Sequence, residues 1–296
     1  GVHSRVKNIV LRQNGIKQRF YAVNTKQEMT HTNAELAQLS IQKLLTEALL
    51  PLQELELLAC ATASPDQVLP SHASMVHGLL KNAPMEIFSA SGICLSCVQA
   101  FKIAYLSILA GDKRNAVCSC SELASEGLLS KNFDVEYEKC ANLGIQPYMA
   151  LEKDFLRFML SDGASAVLLQ DNPGKGKALH IEWVEMTSYA NELPTCMFMG
   201  AEKEKNGELK SWKSFSSQEL TDRSLFTVKQ DIKLLEKNAV PYWAKHIKYC
   251  LEKHNVAPES ISYVLPHVSS MFFYDKIINE LKGIGIGIDE SKWFTN

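Results

Sequence analysis

The stretch SASGICLSCVQAFKIAYLSILAG (residues 89–111) decides how the rest of the chain is read. It opens on small residues, carries two cysteines three apart, Cys94 and Cys97, and then takes on helical spacing. Cys97, Val98, Phe101, Tyr105, Ile108 and Leu109 recur at three and four, which predicts one buried face on a helix from about Cys94 to Ala110. Backbone N–H groups at a helix start favour negative charge, so a thiol at position 94 is expected to ionise more easily than usual. Cys97 lies one turn further along the face expected to be buried. The local pattern leaves four readings open. The pair could be core thiols, a redox C-x-x-C, part of a zinc site, or a nucleophile with a packed neighbour.

Outward from this stretch, helical and strand patterns alternate, as in an α/β protein. Helical spacing covers Asn33 to Leu49. Short apolar runs at Leu55 to Ala61, Asn115 to Cys120 and Gly163 to Gln170 read as strands, and Glu86 to Ser89 leads into the helix that carries the cysteine pair. Further strands are expected at Ala178 to Met186 and Ile261 to Leu265, with helices from about Leu225 to Lys253 and Phe272 to Leu281. The turn-rich DNPGKGK (171–177) is the expected boundary between two halves, 1–171 and 172–296.

The chain has 296 residues, 46% of them hydrophobic, enough for a large core. Lys plus Arg number 31 against 33 Asp plus Glu, so no basic surplus points to nucleic acid or an anionic membrane. No apolar run approaches the roughly 18 residues of a membrane helix, and GVHSRVKNIV lacks the apolar centre of a secretory signal. The eight cysteines, Cys60, Cys94, Cys97, Cys118, Cys120, Cys140, Cys196 and Cys250, are expected as free thiols in a reducing cytoplasm. Cys118 and Cys120 alternate along a strand and so share a face, but no second C-x-x-C completes a metal site.

A nucleophilic cysteine needs a histidine partner. His31, His246 and His254 stand among polar neighbours, and His72 and His77 fall in a helix after Pro70. His267 differs. It follows the apolar run ISYVLP directly and precedes Ser269 and Ser270, the carboxyl end of an expected strand, where open α/β sheets place ligands. A packed or capping histidine remains the alternative there.

Five ordered segments together resemble the ketoacyl-acyl-carrier-protein synthase III family of thiolase-fold enzymes. NGIKQRFYA (14–22) looks like its G-I-x-x-R segment and ATASPDQVLPSHA (61–73) like its T-x-T-P-D…P-S-x-A loop. CLSCVQAF (94–101) aligns with the nucleophile segment, LSDGASAVLL (160–169) with F-G-D-G-A-G-A-V-L, and LPHVSSMFF (265–273) with P-H-Q-A-N. The resemblance implies a five-layer αβαβα sandwich of two similar halves, usually a homodimer. It makes Cys94 the catalytic nucleophile and His267 the catalytic histidine. It implies acyl-coenzyme A or acyl-carrier-protein thioesters as substrates, an acyl carrier protein as partner, and carbon–carbon bond formation with a malonyl- or β-ketoacyl-thioester.

Some positions depart from the family. Ile9 and Gln13 stand where coenzyme-A-using members have tryptophan and arginine, so a carrier-bound donor fits as well as coenzyme A. Val268 and Ser270 replace glutamine and asparagine after the histidine, and Phe272 replaces a basic residue that meets the carrier protein. Lys276 and Lys282 could supply that charge instead. The family's catalytic asparagine segment is not reached, since Asn296 matches a position several residues before it; a trimmed enzyme is expected. SRVKNIVLRQNGIKQRFYA with THTNAEL looks most like ketosynthases that form dialkylresorcinol and related aryl lipids. An ester- or amide-forming acyltransferase of the same fold, and a catalytically silent partner subunit, are the alternatives.

Overall fold

A computed structural model describes residues 7–133, 155–172, 174 and 176–295. Cys140 and Asn296 lie outside them. The chain divides into two compact units, one of Arg19–Leu129 with Ser161–Met186, the other of Gly1–Gln18, Ser130–Leu160 and Thr187–Asn296. The 171–177 turn stretch, expected as a boundary, falls inside the first unit.

The first unit is built on a four-stranded sheet. Its strands are β1 (Leu57–Thr62), β2 (Glu86–Ser91), β3 (Asn115–Glu122) and β4 (Gly163–Gln170), in the order β2-β1-β3-β4. The first three run parallel and β4 is antiparallel to β3. β1 is buried along its whole length, and its period-two alternation divides it between two cores. Leu58 and Cys60 face α2 (Asn33–Glu47) and α3 (His72–Leu80), packing with Ala37, Ile41, Val76 and Leu80. Leu57, Ala59 and Ala61 face α4 (Ser96–Leu109), packing with Ala100 and Ala104. Each large apolar side chain buried this way contributes about 1.5–3 kcal/mol.

α2 starts where the sequence THTNAE predicts. Thr32 accepts from the Glu35 N–H and the Glu35 carboxylate accepts from the Thr32 N–H, a reciprocal cap. α4 departs from expectation in phase. Its deeply buried positions are Ser96, Ala100 and Ala104, while Val98 and Leu109 are exposed and Phe101, Tyr105 and Ile108 are only partly covered. The small residues take the contact because they let the helix axis approach the sheet closely, and the larger ones flank it.

The second unit contains α1 (Lys7–Asn14), the long α7 (Ile232–Lys253), α8 (Tyr274–Gly283), and between them α6 (Ser217–Asp222). Two small antiparallel pairs also lie here, β5 (Met197–Phe198) with β8 (Lys229–Gln230), and β6 (Ala201–Lys203) with β7 (Leu209–Ser211). Its core joins Val240, Ala244 and Leu251 of α7 to Ile277, Ile278 and Leu281 of α8, with Ile286, Ile288 and Trp293. Two expected strands are not formed. Residues 178–186 have no ladder partner, and 261–265 are reduced to a single parallel bridge between Val264 and Trp293. An alternating pattern without a neighbouring strand leaves the backbone groups unpaired in a ladder. Among the described residues no helix is long and apolar enough to cross a membrane.

Candidate active site

Cys94 lies in the turn that joins β2 to α4, three residues beyond Ser91. The parallel strands β2, β1 and β3 all end at this edge of the sheet, the position where open α/β sheets hold ligands. The helix begins at Ser96, two residues later than expected, so Cys94 precedes the first turn. Its thiol is exposed. Even so, burial by the surrounding protein raises its pKa; its own backbone N–H opposes that shift and the Glu122 carboxyl adds to it. The expectation of an easily ionised thiol is therefore corrected: desolvation outweighs the favourable backbone field.

A network of polar side chains covers the neighbouring strand ends. Glu122, the last residue of β3, turns its carboxyl toward the chain leaving β1. One oxygen accepts from the Ala63 N–H at 2.7 Å and the other from the Ser64 hydroxyl at 2.7 Å, with the Thr62 hydroxyl at 3.5 Å. The Ser64 hydroxyl accepts in turn from the Leu123 N–H at 2.9 Å. Asn33 donates to the Thr62 hydroxyl at 2.8 Å and to the Ser64 carbonyl at 2.7 Å. Asp66 accepts from the N–H groups of Asn33 and Ala34 at 2.6 and 2.9 Å, a carboxylate seated on the first turn of α2. Buried His72 meets the Ser121 hydroxyl at 3.0 Å, and burial lowers its pKa. None of Asn33, Thr62, Ser64 or Glu122 was singled out in the sequence. The available signal was Glu122 itself, a lone carboxylate closing the apolar strand AVCSCSE.

Two further expectations about cysteines are corrected. Cys97 is not a free thiol and does not pair with Cys94; it forms a disulfide with Cys120 of β3. The reason is geometric. α4 packs over β3, and strand alternation places Cys118 and Cys120 on the helix-facing side, so Cys120 lies beneath Cys97. The Cys118 thiol points to the Cys97 carbonyl at 3.9 Å. Among the described residues, Cys60, Cys94, Cys118 and Cys196 are free thiols, and the Cys250 sulfur lies 3.5 Å from the His246 ring. An apolar cavity of about 160 Å³ lies beside the disulfide, lined among others by Cys118, Val98, Phe101 and Val167. Cys94 is not among its lining residues.

His267 belongs to the second unit, Cys94 to the first. The histidine is exposed, on an extended segment past the Val264 bridge. Ser270, buried, accepts from the Phe272 N–H at 3.3 Å and opens the short 3-10 turn Met271–Phe273. The G-I-x-x-R segment packs here. Gly15 has φ +65°, and a Cβ on it would come within 2.7 Å of Met271, so only glycine fits. Asn14 anchors the same turn, donating to the Phe158 carbonyl and accepting from the Ile16 N–H, both at 3.0 Å. Ile9 and Gln13 are exposed on α1. Lys276 and Lys282 are both engaged by carboxylates, Glu236 at 3.1 Å and Glu290 at 3.0 Å, and Lys276 also sits 3.7 Å above the Phe272 ring.

No family model matches the chain. It is 23% identical over 282 residues to a beta-ketoacyl-[acyl-carrier-protein] synthase III of Clostridium perfringens, covering 95% of this chain and 73% of that protein. The enzyme of the same name from Aquifex aeolicus is 27% identical over the same length, covering 95% and 72%. Among solved structures, AbyA1, a tetronic acid condensing enzyme, superposes with a TM-score of 0.65 at 19% identity over 97% of this chain and 80% of its own. Over 95% of its length the chain is thus similar in sequence to beta-ketoacyl-[acyl-carrier-protein] synthase III enzymes, and it has their thiolase-type fold.

Proposed function

We propose that the chain is a condensing acyltransferase that joins a Cys94-bound acyl group to a second thioester. The observation that carries this reading is the exposed Cys94 at the carboxyl edge of the parallel strands, in a chain related to synthase III enzymes over 95% of its length. The Cys94 thiolate attacks the carbonyl of an acyl thioester and the donor leaves as its own thiolate, so one thioester replaces another. His267 donates a hydrogen bond to the carbonyl of a malonyl-type thioester. Loss of carbon dioxide then leaves an enolate whose oxygen is stabilised. The enolate carbon attacks the acyl-Cys94 carbonyl, a carbon–carbon bond forms, and Cys94 departs as thiolate. The chemistry uses no metal or redox cofactor. With a β-ketoacyl-thioester in the malonyl position no carbon dioxide is lost; the acidic proton between its two carbonyls passes to solvent base instead, and the resulting enolate attacks acyl-Cys94 to give an aryl-lipid precursor.

A second copy of the chain and an acyl carrier protein are the proposed partners. In support of the first, β2 ends the sheet with β1 as its sole neighbour among the described strands, which leaves its outer edge for pairing. The substrates place the work in the cytoplasm. Product analysis tests the reading. With acyl and malonyl thioesters, a β-ketoacyl thioester and carbon dioxide should appear together. His267→Ala should cut condensation on the order of a hundredfold while Cys94 still takes up acyl groups. An ester or amide product would point instead to the other acyltransferase class, and no product with any donor would point to a silent subunit.

A further inference from the structure

We infer that Glu122 is a positioning residue for Cys94, holding the chain beside the nucleophile in place and setting the charge that the nucleophile faces. The inference rests on Cys94 being the reactive thiol of the proposed reaction. The geometry gives Glu122 two separable tasks. By accepting from Ala63, Ser64 and Thr62 it ties the end of β3 to the chain leaving β1. Thr62 is the register partner of Ser91, so the tethered segment borders the turn that carries Cys94. The charge is the second task. Burial raises the Glu122 pKa, while hydrogen bonds from Ser64, Ala63 and Thr62 oppose that shift. The carboxyl in turn raises the pKa of Cys94, behind the larger effect of burial. Like charges repel through space, so an ionised Glu122 favours the neutral form of the Cys94 thiol.

Three other ionisable groups near this strand end, among the described residues, have partners of their own. Asp66 is held by the first turn of α2, and His72 of α3 sits on Ser121. Asp162, just before β4, is held by the Ser125 N–H and hydroxyl. The chain leaving β1 brings only Thr62, Ala63 and Ser64 to the carboxyl, none of them ionisable at neutral pH. Cys94 is the group on which the Glu122 charge acts through space.

Glu122→Gln tests this, because the amide keeps an acceptor for Ala63 and a polar contact for Ser64 but carries no charge. The readout is the rate of iodoacetamide labelling of Cys94 across pH 5–10, followed by peptide mass on the full chain without substrate. Failure of the acyl-transfer reading would therefore leave the result intact. The sign is set by charge removal: the Cys94 pKa falls, so labelling near pH 8 should be about threefold faster or more in the variant. The two proteins should converge at low pH, where Glu122 is protonated, and at high pH, where the thiol is fully ionised. If circular dichroism shows that Glu122→Gln is unfolded, Ser64→Ala serves instead. It strips one hydrogen bond from the ionised carboxyl, raises the Glu122 pKa further, and should speed labelling on the acid side of the profile while matching the parent on the alkaline side, where Glu122 is ionised in both. An unchanged labelling profile in the folded variant overturns the inference. So does a uniform slowing at every pH, which a purely structural role would give.

Discussion

A thiol's reactivity depends on where its charge would sit, and the free cysteines of the first unit separate on that ground. Burial pushes the Cys118 pKa up to about 12 and the Cys60 pKa higher still, with Cys118 adding to the latter. Cys94 is exposed, and its shift is opposed by its own N–H. Iodoacetamide at pH 8 should therefore label Cys94 on the order of tenfold faster than Cys60 or Cys118 in the folded protein, with the difference lost in denaturant. Peptide mass spectrometry reads this directly, and equal native rates would contradict it. Cys94 was legible in the sequence because small residues before an amphipathic run mark a strand-to-helix turn. The Cys97–Cys120 bond was not. It depends on helix phase, and the phase is set by Ala100 and Ala104, which carry little weight in an apolar pattern. Glu122 was missed for a related reason: a carboxylate at a strand end looks like an exit to solvent until its acceptors are seen to be filled.

The elements that were read correctly are those whose local signals and tertiary partners agree. Thr32 and Glu35 cap α2 at both the side-chain and backbone level, and the helix begins as the sequence predicts. Thr32→Ala should lower stability by about 1 kcal/mol in a denaturant titration, through loss of that cap. No measurable loss would contradict the cap's role. α4 offers a sharper contrast. Ala104 is fully buried against the sheet and Leu109 is 66% exposed, the reverse of what side-chain size suggests. Ala104→Leu should cost about 1–3 kcal/mol by overpacking. Leu109→Ala should stay within about 0.5 kcal/mol. A larger loss from Leu109→Ala than from Ala104→Leu would restore the face expected from the sequence. The runs 178–186 and 261–265 mark the limit of such reading. Alternation shows that a segment can be a strand, but only a neighbour with free N–H and C=O groups makes it one.

At the scale of the molecule, the buried strands β1 and β3 were legible as short runs of apolar and small residues set between helical patterns. The arrangement of the second unit was much less so, since its core is helical and its strands are two or three residues long. The proposed function draws on both units: it assigns the nucleophile to Cys94 of the first and the hydrogen-bond donor to His267 of the second, in a chain similar to synthase III enzymes across 95% of its length. The most direct test is the intact mass of the full chain after incubation with a long-chain acyl-coenzyme A, followed by peptide mapping. The account predicts one acyl group per chain, on Cys94, released by neutral hydroxylamine and absent from Cys94→Ala. No adduct with acyl donors of any length, or an adduct that persists in Cys94→Ala, would contradict it.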